Sequence, residues 1–427
     1  MLDLLRSILG VLILLAIGWL LSENRRSVAW RVLAIGLGLQ LVAGLLIFHL
    51  PFGRDLFKLA NDAVNALLAQ AQQGAEFVFG PLAKGPGEAG SLGFVLAFQA
   101  LPTAIFFAAL TALLYYVGLL PKLVRLFARL FQRSLGVSGV ESVTVSSNLF
   151  VGIESALTIR PYLSTVPRHE LAVILTAGMA TIASTVLGIY VTALAPVFPT
   201  IAGHLLTANF LSAPAAIMFA RLLVPPPVTL EKEKPRELEI TFEKQGNWIQ
   251  SITQGAMEGL KLATGIAAVL IAFVGLLALL NLMIGGVGGW FGHPDFTVQI
   301  ILGWIFAPFA WLMGVPWEYA PRVGELLGLR LVATEVPAYF QLAGWMEGDQ
   351  PLDARSLVIA VYALCGFAHI PSLGIFVGGL TALIPDRVED IGSVAIRCLV
   401  AATLACLLTG TIAGIVAGPN PMVFLNR

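Results

Sequence analysis

Two glutamates sit in stretches otherwise suited to lipid: Glu154 in VGIESA and Glu335 in VATEVPA. A carboxylate in apolar surroundings costs about 3 kcal/mol or more unless something pairs with it, so each marks a place where a hydroxyl, a cation or a proton is handled. Downstream of each glutamate the same pattern recurs, GMATIAS at 178–184 and GFAHIPS at 366–372. Both copies combine a glycine, one polar side chain and a closing serine within a heptad, which is enough to interrupt a helix and expose carbonyls beside hydroxyls. Such hard oxygen donors suit a cation or a hydroxylated solute. At the fourth position one copy has Thr181 and the other His369, whose imidazole can donate, accept or carry charge near neutral pH.

The elements that must position these residues are membrane helices. Of the 427 residues 58% are hydrophobic and 12% charged, with a mean hydropathy of +0.88. A soluble domain has about twice that share of charge, so the chain reads as an all-α polytopic membrane protein. Zero net charge argues against a nucleic-acid partner. Spans of bilayer length fall at 3–21, 29–48, 94–119, 170–197, 204–224, 255–284, 355–383 and 390–417, eight in all. The first lacks a basic leader and a small-residue cleavage site, so it reads as a retained span. Cys365, Cys398 and Cys406 lie in apolar segments with no disulfide or metal spacing.

Basic residues set the orientation. Arg25, Arg26 and Arg31 follow the first span, and PKLVRLFARLFQR (121–133) follows the third. The latter predicts a surface helix on anionic lipid, with Leu123, Leu126, Phe127, Leu130 and Phe131 as its apolar face. Both segments would be cytoplasmic, with the N-terminus and C-terminus outside, and the charged linker at 225–254 is cytoplasmic by the same count. Residues 136–163, carrying Glu141, Asn148 and Glu154, and residues 315–342, carrying Glu325, Arg330 and Glu335, are too polar for plain spans. They predict two re-entrant helical hairpins entering from opposite faces, each followed by an interrupted helix and a second helix. That is an inverted repeat of the kind that builds one midplane site from two halves.

With these residues in view, the chain resembles the concentrative nucleoside transporter family over essentially its whole length. The resemblance is carried by SNLFVG (147–152), GVPWEYA (314–320), GLRLVATEVPAY (328–339) and YALCGFA (362–368), and extends from SENRRSVAWR through FVLAFQALPTAIFFAALTALLYYVGLL to the last span. It implies a homotrimer whose protomers each have a scaffold and a mobile transport domain, importing nucleosides on a sodium or proton gradient. Under it, residues 1–120 are mainly scaffold and 121–135 the cytoplasmic helix. Residues 136–224 are the first repeat, 255–310 a scaffold helix and external segment, and 311–420 the second repeat. The resemblance makes Glu154, Glu335 and Ser372 the ribose-holding residues and places Ile153, Val186, Thr334, Phe367 and His369 beside them. It makes Asn148 and Thr181, by side chain, and Val151 and Ile182, by carbonyl, the sodium ligands.

The departures from that family fall at the site itself. Ile153 stands where the family has a Gln-Thr pair, with one residue fewer before Glu154. Thr334 replaces the signature asparagine, Val336-Pro337 a Phe-Val pair, His369 another asparagine and Arg330 a lysine. A pocket stripped of base-edge partners loses its means of rejecting the wrong base. His49, His169, His204 and His293 fall at span ends and read as interfacial. No nucleophile-base pair or metal motif is present, so an enzyme is not expected and sodium or a proton is the sole cofactor-like species.

Overall fold

The computed structural model describes residues 2–152, 159–227 and 246–418, with helices and no strand among them. The chain runs α1 (Leu2–Leu20), α2 (Trp30–His49), α3 (Pro51–Phe79), α4 (Leu101–Val117), α5 (Leu119–Leu135), α6 (Gly139–Val151), α7 (Arg168–Ala180), α8 (Ser184–Leu194) and α9 (Ile201–Leu223). It continues as α10 (Trp248–Trp290), α11 (Val298–Met313), α12 (Ala320–Val332), α13 (Glu335–Glu347), α14 (Ala354–Leu364), α15 (Ile370–Leu383) and α16 (Val388–Val416). All eight apolar segments are helical, and six stretches are long and apolar enough to cross a membrane. The two interrupted helices are α7 with α8 and α14 with α15. Linker residues 228–245 lie outside the described residues.

Two helices were not expected. Helix α3 starts at Pro51, a residue suited to a first helical turn, and alternates apolar with charged and amide residues, so no apolar window marks it. Helix α11, which packs along α12, occupies part of the segment expected to be an external connection. Helix α10 is 43 residues long. At 1.5 Å per residue that is about 65 Å, roughly twice a hydrocarbon core, so it must tilt or project well beyond one.

Small residues set the closest contacts. Gly255 and Gly259 on α10 face α4, where an added Cβ would lie 2.7 Å from Ala108 O and 2.6 Å from Ile105 Cα respectively. Gly410 and Gly414 on α16 play the same part toward Ile359 and Ala363 on α14. Both pairs have Gly-x-x-x-Gly spacing, which lets backbones approach where lipid supplies no hydrophobic drive. Helices α7, α9, α14 and α16 pack together, with α1 and α2 against α16 and α9, while α10 packs along α4, which also meets α8 and α3.

Polar contacts gather at two ends. At one, Arg168 meets both Glu23 oxygens at 2.6 and 2.7 Å and donates to Ser393, while Arg397 approaches Glu23 at 3.2 Å. At the other, Arg6 donates to Gly314 O, Ser7 to Met313 O and Arg355 to Gly418 O. Helix α5 has the expected amphipathic character but a different inner stripe. Val124, Ala128, Phe131 and Leu135 are buried at helical spacing, whereas Leu126 and Leu130 are exposed, because the inner face must meet α6 and α4 rather than lipid. His204 is not interfacial either. It is fully buried, ringed by Phe48, Phe57 and Phe198, with Nδ1 3.2 Å from the Tyr362 hydroxyl.

Candidate substrate and cation site

The two heptads meet. Gly366 abuts the end of α7, where an added Cβ would lie 2.8 Å from Ala180 O and 2.6 Å from Cys406 Sγ, and Gly178 abuts the Phe376 ring of α15. Each interrupted helix therefore breaks beside the other. Ser212 and Thr409, on α9 and α16, hydrogen bond across this crossing at 3.2 Å.

At the first break α7 ends at Ala180 and α8 restarts at Ser184. Asn148 Nδ2 donates to Ala177 O at 3.0 Å and also to Thr181 Oγ1, which itself donates to Ala177 O. Ser184 Oγ donates to Phe150 O at 2.5 Å, tying α8 to the end of α6. Asn209 on α9 clamps the break. Its Oδ1 accepts from Ile182 N at 2.8 Å while its Nδ2 donates to Ile182 O at 2.9 Å and Leu149 O at 3.1 Å. Of the four expected sodium ligands, Asn148 and Thr181 thus touch, Ile182 is held by Asn209, and Val151 ends the helix that carries Asn148.

At the second break α14 ends at Leu364 and α15 begins at Ile370 with His369 as its N-cap. The His369 Nδ1 accepts from Ser372 N at 3.1 Å, so the ring proton belongs on Nε2. Nε2 lies 2.8 Å from Glu335 Oε2, with both side chains about 5% exposed. The contact is close but poorly aligned, leaving Oε2 able to accept another hydrogen bond. Oε1 accepts from the Tyr190 hydroxyl at 2.6 Å. Glu335 itself opens α13, where helix N-terminal amides favour a carboxylate.

These groups border a cavity of about 380 Å³. Val186, Thr334, Glu335, Phe367, His369 and Ser372 all line it, so the structure brings together six of the expected substrate residues. Ile153 and Glu154 lie outside the described residues. Thr334 Oγ1 is buried without a partner among the described residues, a polar group left open in the wall. The opposite wall is the apolar face of α10, including Leu262 and Ile266, with Lys261 at its edge.

Sequence reasoning missed Tyr190, which crosses from the first half to Glu335 in the second, and Asn209. Tyr190 lay in a run otherwise indistinguishable from a buried span, and a lone asparagine in a helix gives no hint of the backbone it faces. Glu141, noted for its position in the first hairpin, is accounted for structurally. It forms a capping box with Ser138 and takes a two-point contact from Arg221 at 3.2 and 2.5 Å.

Two helices broken beside each other, with polar groups converging on a cavity, form the midplane architecture of secondary transporters. The model of the Na+ dependent nucleoside transporter C-terminus matches residues 204–414, that of its N-terminus residues 9–82, and a nucleoside-recognition module residues 97–197. The chain is 36% identical to the putative nucleoside permease NupX of Escherichia coli over 97% of this chain and 99% of that one. It is 34% identical to the nucleoside permease NupC of Helicobacter pylori, over 97% and 98%. It also matches human solute carrier family 28 member 3 at 38%, covering 96% of this chain and 59% of that one. The solved structure of CNTnw in an inward-facing substrate-bound state superposes with a TM-score of 0.89 at 36% identity, covering 97% and 98%. The chain belongs to the Na+ dependent nucleoside transporter family, a family of transporters rather than enzymes, whose coupling ion is sodium.

Proposed function

We propose that this protein imports nucleosides or nucleoside-like solutes by sodium symport with alternating access. The observation that carries the reading is the convergence of Glu335, His369 and Ser372 from the second half with Tyr190 and Val186 from the first on one cavity. Glu335 and Ser372, with Glu154, take the sugar hydroxyls; Phe367 and the apolar face of α10 enclose the base. The coupling ion sits among the oxygens of Asn148, Val151, Thr181 and Ile182. Ile153 and Thr334, in place of an amide-bearing pair and an asparagine, leave the sugar as the main recognition element. Nucleosides with different bases then compete similarly, while loss of a ribose hydroxyl weakens binding by about 1.5–3 kcal/mol per charged hydrogen bond. The protomer crosses the bilayer eight times with two re-entrant hairpins, both termini outside, and assembles as a homotrimer in the inner membrane. Helices α4 and α10 form the static body of each protomer.

The contact between His369 and Glu335 favours one alternative, proton-coupled uptake of a different hydroxylated solute. Uptake of labelled uridine into proteoliposomes under separately imposed sodium and proton gradients decides between them. Uridine accumulation driven by sodium supports the first reading; no uridine accumulation, with a hydroxylated solute other than a nucleoside accumulated on the proton gradient alone in the same vesicles, supports the second. Absence of saturable accumulation for any nucleoside refutes both the nucleoside class and the site.

A further inference from the structure

The second break has a cation of its own. Arg330, two residues before the end of α12, is fully buried, the largest side chain so enclosed among the described residues. Its Nη1 donates to Ala363 O at 2.5 Å, a carbonyl of the last turn of α14, while Nε and Nη2 have no hydrogen-bond partner among the described residues. The guanidinium lies beside the Cys406 thiol. A buried charge with three of its five N–H donors unused is costly. What favours it there is the C-terminal end of α14, whose unpaired carbonyls carry partial negative charge.

The first half has the same construction with different chemistry. Asn148, near the end of α6, donates to Ala177 O in the last turn of α7, as Arg330 near the end of α12 donates to Ala363 O in the last turn of α14. The Ser212–Thr409 pair aligns α9 with α16, and three residues earlier stand Asn209 in one and Cys406 in the other. The first break therefore offers Asn209 and neutral oxygens that suit a hard cation, whereas the place of Asn209 in the second half is taken by the Cys406 thiol, which does not, beside the Arg330 guanidinium. We propose that Arg330 is a tethered cation that does permanently at the second break what the coupling sodium does reversibly at the first. The hairpin formed by α12 and α13 is then held to α14 regardless of sodium, and each substrate moves with one sodium. This rests on the sodium reading given above.

Chemical rescue tests it. Full-length Arg330→Ala in proteoliposomes should lose uridine uptake on the order of tenfold or more. Guanidinium at low millimolar concentration should restore several-fold of that loss, whereas urea, the neutral molecule of the same shape, should restore none. The remaining uptake should keep the sodium midpoint of the wild type, and wild-type uptake should rise with sodium with a Hill coefficient near one. Equal rescue by urea would make Arg330 a packing residue and overturn the proposal; so would unimpaired uptake by Arg330→Ala, or a wild-type Hill coefficient near two. Should Arg330→Ala not fold, Arg330→Gln provides the decision, since it keeps a donor for Ala363 but not the charge. Its uptake must fall while Arg330→Lys retains most of it, and wild-type uptake by the Gln variant overturns the proposal. If the wild type proves indifferent to sodium, the coupling reading fails instead, and the guanidinium-urea contrast still decides the role of Arg330.

Discussion

Replacing Glu335 by Gln changes charge with almost no change in volume. Both carboxylate oxygens are engaged or poised, Oε1 by the Tyr190 hydroxyl at 2.6 Å and Oε2 near His369 Nε2 at 2.8 Å. Hydrogen bonds to a charged group contribute about 1.5–3 kcal/mol and neutral ones about 0.5–1.5. Each bond the carboxylate makes should then weaken by about 1–1.5 kcal/mol in the amide. A single substrate hydroxyl on Oε2 gives a loss in affinity of about tenfold, at 1.4 kcal/mol per factor of ten. The bond from Tyr190 weakens in the empty protein too, so melting temperature should fall modestly while the fold survives. The measurement pairs uridine binding with melting temperature for Glu335→Gln, Tyr190→Phe and the double variant. If Tyr190 works through the carboxylate, Tyr190→Phe should cost affinity in the wild-type background and little in the Gln background. Unchanged uridine affinity in a folded Glu335→Gln variant would refute the assignment of Glu335 to the substrate.

His369→Asn should retain the start of α15, since asparagine also caps, yet weaken uridine binding several-fold, because it removes the Nε2 contact with Glu335 from the cavity wall; unchanged uridine affinity would refute it. Asn209→Ala should raise the sodium concentration for half-maximal uptake several-fold, because it frees Ile182 O and Leu149 O from the clamp; an unchanged midpoint would detach the clamp from the ion site. At the Arg168 end, the hydrogen bond from Arg168 holds the Glu23 carboxyl below its ordinary 4.5. A depressed folded value means that the pair stabilises above about pH 4.5 and loses its contribution as pH falls through that lower value. With Arg168 35% exposed, Arg168→Ala should cost no more than about 1 kcal/mol at pH 7. The difference in melting temperature from the wild type should shrink in acid to what the Arg168–Ser393 hydrogen bond contributes; a difference that does not shrink there would refute the role of the ion pair.

The sequence was most informative where chemistry interrupts an apolar background. Thr181 and His369 stood out because a polar residue within a span needs a partner, and the repetition of their heptads made the breaks legible. Length and hydropathy sufficed for α2, α9 and α16. Helix α3 escaped because its amphipathic pattern carries enough charge to remove any apolar window. Partners across the bundle were illegible for a different reason. That Tyr190 meets Glu335, or Arg330 the end of α14, depends on how distant helices cross, and no local spacing encodes it. The inner stripe of α5 shows the same limit: its residues at helical spacing include two apolar faces, and only the packing against α6 and α4 chooses between them.

The heptad glycines give the last test, because the same substitution meets different obstacles at the two breaks. At Gly366 an added methyl would press on Ala180 O at 2.8 Å and Cys406 Sγ at 2.6 Å. One is backbone at the end of the other broken helix and the other is packed beside Arg330, so neither can withdraw without parting the crossing. At Gly178 the atoms nearest the methyl all belong to the Phe376 ring, which borders the cavity and can swing into it. Gly366→Ala should therefore destabilise by about 1–3 kcal/mol or more, the cost of overpacking a core. Gly178→Ala should keep most of its stability and lose substrate affinity instead, because the displaced ring takes up space that the solute needs. Melting temperature and uridine affinity measured on both variants separate the two costs. Equal loss of stability at both glycines, with affinity intact in Gly178→Ala, would mean that Phe376 is fixed and that the cavity is not where the solute rests.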